Sequence, residues 1–247
     1  MELTEEPAAR GLAARTAGGL AARLAGPGAG LLVDLDGTLV LTEAANQQAY
    51  RQYFASRGWE VHDDVVRAFA GRRAHEVFAS LAGPWGDEDP ERLRQDVLDV
   101  LATLDVRPEA VPGAARLLTG CVSRGVPVAV VTSAGRDWTL AALEWLEVDP
   151  TGIVLVTAED CTRGKPDPEP FRRGAQLLGL DPAGLAALED TPAGIASARQ
   201  AGVGLVIGVT TGHPSAHLSA AGADQTVPDL TELADAVART PTEEPSA

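Results

Sequence analysis

Leu31-Leu32-Val33-Asp34-Leu35-Asp36-Gly37-Thr38-Leu39-Val40 decides how the chain is read. An apolar run stops at two aspartates placed two residues apart, with glycine next. In extended backbone, residues two apart face the same way, and Gly37 permits a sharp turn and a close approach of a ligand to the backbone. Outward from this stretch the same figure recurs. Residues 126–131 are an apolar run ending at Thr132. Ile153-Val154-Leu155-Val156 ends at Thr157, Leu185-Ala186-Ala187-Leu188 at Glu189-Asp190, and residues 205–209 at Thr210. Uniformly apolar runs suit parallel strands covered on both faces. Helix signals lie between them. Asp167-Pro168 and Thr191-Pro192 each place a capping side chain ahead of a proline at the first helical position, and Gly179 and Gly202 suit helix exits. Strand alternating with helix predicts an α/β fold, a Rossmann-like doubly wound parallel sheet.

Residues 43–110 break the rhythm with helical patterns alone, over 43–57, 63–70, 74–81 and 90–104. In the last, Leu93, Val97, Val100, Leu101 and Leu104 share one helical face. A helical block between the first and second strands predicts an inserted α-helical cap domain over 43–110, with the core formed by 27–42 and 111–238. Residues 1–26 read as a leader, flexible or forming a short surface helix, and 239–247 as a disordered tail.

The chain has 247 residues, with 20 Lys+Arg against 35 Asp+Glu and a formal net charge of −15. Such an acidic protein repels phosphate backbones and anionic headgroups, so nucleic acid and membrane are excluded as expected partners. Two cysteines make no disulfide framework and point to a reducing cytoplasm. The acidic start, Met1-Glu2-Leu3-Thr4-Glu5-Glu6, is unlike a secretory signal. Lys165 is the only lysine. Where arginine serves for every other cation, position 165 calls for a compact ammonium.

Ligands of open parallel sheets bind beyond the carboxyl ends of the strands. There the sequence places Asp34, Asp36, Thr132, Ser133, Lys165, Glu189 and Asp190. Four carboxylates converging would repel one another, so the site calls for a hard divalent cation with oxygen ligands, Mg²⁺. With the cation and Lys165 the pocket attracts phosphate. One aspartate can bind the metal and attack phosphorus, and the other can manage the leaving group's proton.

Asp34-Leu35-Asp36-Gly37-Thr38-Leu39-Val40, Thr132-Ser133, Gly164-Lys165-Pro166-Asp167-Pro168-Glu169 and Glu189-Asp190-Thr191-Pro192-Ala193-Gly194 together resemble, in order and spacing, the four motifs of the haloacid dehalogenase-like (HAD) hydrolases. The resemblance spans about residues 30–235. It implies Asp34 as the nucleophile forming an aspartyl-phosphate and Asp36 as the acid and base. Mg²⁺ would be held by Asp34, the Asp36 backbone carbonyl and Asp190, with Glu189 acting through water. The Thr132 hydroxyl, the Ser133 amide and Lys165 would hold the phosphoryl oxygens. Asp36 speaks against a dehalogenase, and a cap without lysine against a phosphonoacetaldehyde hydrolase.

The helical-cap branch it resembles most is that of sugar and polyol phosphatases, including glycerol-3-phosphatases and 2-deoxyglucose-6-phosphate phosphatases, with β-phosphoglucomutases beside them. Asn46 stands where the mutases carry histidine, and Val40-Leu41-Thr42 departs from the phosphoglycolate phosphatase pattern. The expected function is therefore a Mg²⁺-dependent phosphatase of a small phosphorylated sugar or polyol, a cytoplasmic monomer or homodimer. A phosphosugar mutase and a phosphoglycolate phosphatase are the enzymatic alternatives. A phosphate-sensing module related to receiver domains is the non-enzymatic one, which the cap insert and Asp36 disfavour. In the cap, Arg73 is expected to offer forked donors to a sugar hydroxyl or to phosphate, and Glu43, Asn46 and Gln47 to read hydroxyls. Arg72 is equally well a surface residue. His213 and His217 read as a loop beside the site rather than zinc ligands, Trp59, Trp85, Trp138 and Trp145 as packing residues, and Cys121 and Cys161 as ordinary thiols.

Overall fold

The computed structural model describes residues 7–104 and 108–239, with side chains from residue 14 onward. Strand β1 (Gly30–Val33) leads into two short antiparallel strands, β2 (Val40–Leu41) and β3 (Glu109–Ala110), between which the cap is inserted. The chain continues through β4 (Val128–Val131), β5 (Ile153–Val156), β6 (Leu185–Glu189), β7 (Leu205–Val209) and β8 (Gln225–Val227). Six of these strands form one sheet in the order β5-β4-β1-β6-β7-β8, and every pairing in it is parallel. Leu31 lies opposite both Val128 and Ala186. The next strand in sequence joins one side of β1, and later strands extend from the other. A cleft therefore opens where the order reverses, beyond Asp34.

The apolar runs are continuous because both faces are covered. Leu31, Val33, Val128, Val130, Ala186 and Leu188 pack toward one layer, and Leu32, Ala129, Val131, Leu185 and Ala187 toward the other. The first layer is built from α1 (Pro7–Leu24) together with α6 (Ala114–Ser123), α7 (Arg136–Trp145) and α11 (Thr231–Arg239). The second is α8 (Glu169–Leu178), α9 (Pro192–Ala201) and α10 (Ser215–Ala220). Gly179 and Gly202 end α8 and α9 in the left-handed region, at φ 69° and 88°. Thr191 caps α9 by accepting from the Gly194 N–H, with Pro192 opening the helix. At α8 the expected register is shifted. Pro168 is itself the capping residue and Asp167 accepts from the Glu169 N–H at 2.9 Å, so the helix starts one residue later than expected.

The cap holds α2 (Glu43–Ser56), α3 (Asp63–Arg67), α4 (Ala74–Ser80) and α5 (Pro90–Thr103). It has a core of its own. Leu93 and Val97 on α5 pack with Tyr53, Phe54, Phe69, Phe78 and Trp85, and Val100, Leu101 and Leu104 extend the same face. Phe54 and Trp85 stack with centroids 5.7 Å apart.

The leader differs from its reading. From Pro7 to Leu24 it is a helix lying against α11, with Ala17, Leu20 and Leu24 buried in the main core. Arg23, whose charge breaks the apolar run, anchors it by donating to the carbonyls of Ala183 and Leu185. Residues 1–6, and the expected tail from residue 240 on, lie outside the described residues. No helix among the described residues is long and apolar enough to cross a membrane.

Candidate active site

Four parallel strands deliver the site to one edge of the sheet. Asp34 follows β1, Thr132 and Ser133 follow β4, Glu189 ends β6 with Asp190 after it, and Lys165 arrives on the loop between β5 and α8. The Lys165 ammonium is fully buried and all three of its protons are committed. It donates to Asp34 Oδ1 at 2.5 Å, Glu189 Oε1 at 2.7 Å and the Val131 carbonyl at 2.9 Å. Burial opposes its charge, but Asp34 and Glu189 outweigh burial and hold the ammonium above its ordinary range. Three acceptors around one small centre explain why this position carries the chain's only lysine. A planar guanidinium does not fit such a point.

Asp34, Glu189 and Asp190 bring one carboxylate oxygen each within 4.8 Å of one another. Burial, against the pull of Lys165, raises Asp34 to about 7, and Glu189 and Asp36 add to the rise. Asp190 is raised well above the usual carboxylate range, by burial first and then by Glu189 and Asp34. Asp34 Oδ2 is buried without a hydrogen-bond partner among the described residues. Crowded oxygens, one of them bare, and a single ammonium fit a hard divalent cation. Glu189, expected to act on the metal through water, also has protein donors on both its oxygens. Oε1 takes Lys165, while Oε2 takes the Thr191 N–H and hydroxyl at 2.8 and 2.9 Å. Gly37, at φ 88°, passes so close to Asp190 that a Cβ there would collide with its carboxylate.

Asp36 is half-buried. Its Oδ1 accepts from the Thr42 hydroxyl at 2.9 Å and from the Trp138 indole N–H at 3.1 Å. Burial raises its pKa, and these two donors hold it down. Trp138 was expected as a packing residue. It does pack edge-on against Trp145 at 5.3 Å, but its indole nitrogen reaches the site. The available signal was its position in the first turn of the helix that follows Thr132-Ser133. Trp59 and Trp85 belong to the cap core.

Thr132 Oγ1 accepts from the Ala134 N–H at 3.0 Å, and the Ser133 hydroxyl donates to the Gly71 carbonyl of the cap at 3.1 Å. The cap turn thus touches the strand edge. Within it, Arg73 is 6% exposed and its guanidinium faces core carbonyls rather than an open pocket. Glu43, Asn46 and Gln47 are half-buried on α2. Gln47 donates to Glu43 at 2.6 Å, and the Glu43 charge contributes to raising both Asp36 and Asp190. His213 lies in the loop before α10 and His217 on that helix. Neither joins a metal-ligating group of three among the described residues. Cys121 is buried, Cys161 half-buried, and both are free.

A doubly wound sheet with an acidic cleft at its carboxyl edge and a helical insert after the first strand defines a hydrolase class. The chain belongs to the haloacid dehalogenase-like hydrolases, whose family model matches residues 31–208, and is a phosphoric monoester hydrolase. It is 38% identical over 204 residues to validoxylamine A 7′-phosphate phosphatase of Streptomyces hygroscopicus subsp. limoneus, covering 82% of this chain and 94% of that one. To hexitol phosphatase A of Escherichia coli it is 34% identical over 175 residues, covering 70% and 79%. A hydrolase of known structure from Pseudomonas syringae superimposes with a TM-score of 0.76 at 25% identity, covering 83% of this chain and 96% of that one.

Proposed function

We propose that this protein is a Mg²⁺-dependent phosphatase of a small phosphorylated sugar or polyol, acting through an aspartyl-phosphate on Asp34. The observation that carries the reading is the asymmetry of Asp34: one oxygen is pinned by the buried ammonium of Lys165 and the other is bare. Such a carboxylate has a fixed orientation and an unsolvated oxygen free to bond.

Asp34 and Asp190 would hold the cation, with the Asp36 carbonyl. When bound, it supplies charge neutralisation for the phosphoryl group. The chain's own residues do the rest. An Asp34 oxygen attacks phosphorus, the bond from phosphorus to the substrate oxygen breaks, and Asp36 gives that oxygen its proton. Asp36, now a carboxylate, takes a proton from water as the water attacks phosphorus. The bond to Asp34 breaks and inorganic phosphate leaves. The Thr132 hydroxyl and Ser133 amide hold equatorial oxygens, and Lys165 stabilises the charge that builds on Asp34 and the phosphoryl group. Thr42 and Trp138 orient Asp36, leaving its second oxygen for the proton.

The substrate class is supported by the polar residues of α2, Glu43, Asn46 and Gln47, and by relatives named for validoxylamine A 7′-phosphate and for hexitols. The free cysteines support a cytoplasmic enzyme. The test is phosphate release from glycerol phosphate, hexose, pentose and hexitol phosphates, phosphoglycolate and nucleotides, with and without Mg²⁺. Release that requires Mg²⁺ and vanishes in Asp34→Asn supports the chemistry, and the best ester identifies the class. Release from none of them, or release that survives Asp34→Asn, overturns it.

A further inference from the structure

The loop that carries Lys165 is held almost entirely by side chains. From the core, Glu169 accepts from the N–H groups of Thr162 and Arg163 at 2.7 and 2.8 Å. Arg136 and the Ala134 carbonyl hold its start at residues 158–160, and Gln200 and Ser197 hold Pro166 and Asp167 beyond Lys165. Further ties come from the cap, some 85–89 residues earlier in the chain. Arg73 Nη2 donates to the carbonyls of Ala158 and Cys161 at 2.8 and 3.0 Å, and Nη1 to that of Thr162 at 3.3 Å. Glu76 Oε1 accepts the Gly164 N–H at 2.7 Å and lies 3.6 Å from Arg73 Nη1. Gly164 packs against the Arg73 stem so closely that a Cβ would lie 2.8 Å from Cγ and Cδ. The next residue is Lys165.

We propose that Arg73 and Glu76 are positioning residues, which place Lys165 by clamping residues 158–164 when the cap is closed. Arg73 is not a substrate reader: both terminal nitrogens are committed to loop carbonyls. A rigid, planar fork suits this task, because three carbonyls of an irregular loop are gathered by one group of fixed geometry. With the cap raised, the loop loses the Arg73 and Glu76 ties and keeps those to the core, from Glu169, Arg136, Ser197 and Gln200. Lys165 then loses the support of its neighbouring residue, and Ser133 loses its bond to Gly71 in the same motion. Cap closure and the assembly of the phosphate site become one event.

This inference rests on the phosphatase reading, and its test separates the two. Arg73→Ala, Glu76→Ala and the conservative Glu76→Gln are made in the full chain and assayed on every ester the wild type cleaves. Misplacing a catalytic group by about 1 Å costs on the order of 10²-fold in rate. A loss of that order in kcat is expected for Arg73→Ala, by the same factor on every ester, with KM little changed. Glu76→Ala should lose less, and Glu76→Gln, which keeps the acceptor, should stay near wild type. Amide hydrogen exchange supplies a readout independent of turnover: exchange at Gly164 should quicken about tenfold in both alanine variants, while β4 amides keep their protection. A changed ranking of esters, or a rise confined to KM, overturns the proposal and makes Arg73 a reader. Unchanged kcat with unchanged Gly164 exchange overturns it as well. If Arg73→Ala does not fold, the Glu76 pair decides. If the wild type cleaves no ester, the phosphatase reading fails, and Gly164 exchange still decides the clamp.

Discussion

At Asp34 and Lys165 an ion pair is buried at the centre of the sheet's edge, where either partner alone would be an uncompensated charge. Lys165 serves two carboxylates and one carbonyl, so its replacement tests shape as well as charge. Lys165→Arg and Lys165→Met should both lose activity by at least about 10²-fold, with no rescue by arginine; full activity in Lys165→Arg would mean that charge alone suffices. Trp138 is tested through Asp36. Its indole N–H holds the Asp36 pKa down, so Trp138→Phe should move the limb of the kcat profile that reports Asp36 to higher pH. An unmoved limb would leave Trp138 with packing alone. The residues following each strand were legible in the sequence, because a charged or hydroxylic side chain after an apolar run has few structural reasons to be there. Trp138 was not, since a tryptophan near a helix start is ordinary until its neighbour across the fold is known.

Among the elements, α1 departs furthest from its reading. An alanine-rich helix has a weak apolar face, and its arginines mimic a solvated leader. Its stability comes from the partner surface of α11, which no local pattern reveals. Leu20, fully buried, tests this: Leu20→Ala should cost about 2–5 kcal/mol, read as a lower denaturation midpoint. A loss below 0.5 kcal/mol, the surface scale, would return α1 to the surface. The α5 face, by contrast, was legible because its period matches the helix and its partners lie within the same insert. β8 escaped notice: Gln225-Thr226-Val227 is a short edge strand with one deeply buried residue. The offset at α8 follows from Asp167, which caps through an N–H two residues on.

Over the whole molecule, the acidic cleft couples stability to pH. Asp34 is raised from 3.8 to about 7, and Asp190 is raised well above the same ordinary value. Raised carboxylates stabilise the fold while protonated, fully below their ordinary value near 3.8, and lose that contribution as pH climbs through the folded value. The metal-free protein should therefore lose stability between about pH 4 and 8 through this pair, relative to Asp190→Asn, in which the crowding is relieved. Mg²⁺ should offset the loss because the cation binds the deprotonated form. The stabilisation it causes, about 2.7 kcal/mol at a hundredfold excess over Kd, should be read as a rise in Tm that grows with pH across the same window at fixed Mg²⁺. A shift independent of pH, or equal in Asp190→Asn, would remove the cation from this cluster.

The alternation of apolar runs with helical patterns, the helical insert and the chemistry at the strand ends were determined by the sequence itself. Each depends on periodicity or on neighbours a few residues away, which a linear chain displays directly. Tertiary structure alone decided the docking of α1, the reach of Trp138 to Asp36, the enclosure of Glu189 by Lys165 and Thr191, and the turn of Arg73 away from the pocket onto the Lys165 loop. Three of these four join groups more than 80 residues apart. The fourth depends on how two strand-end loops meet. Such contacts are set by the packing of layers, and the same residues in the same order would read identically if the layers met another way.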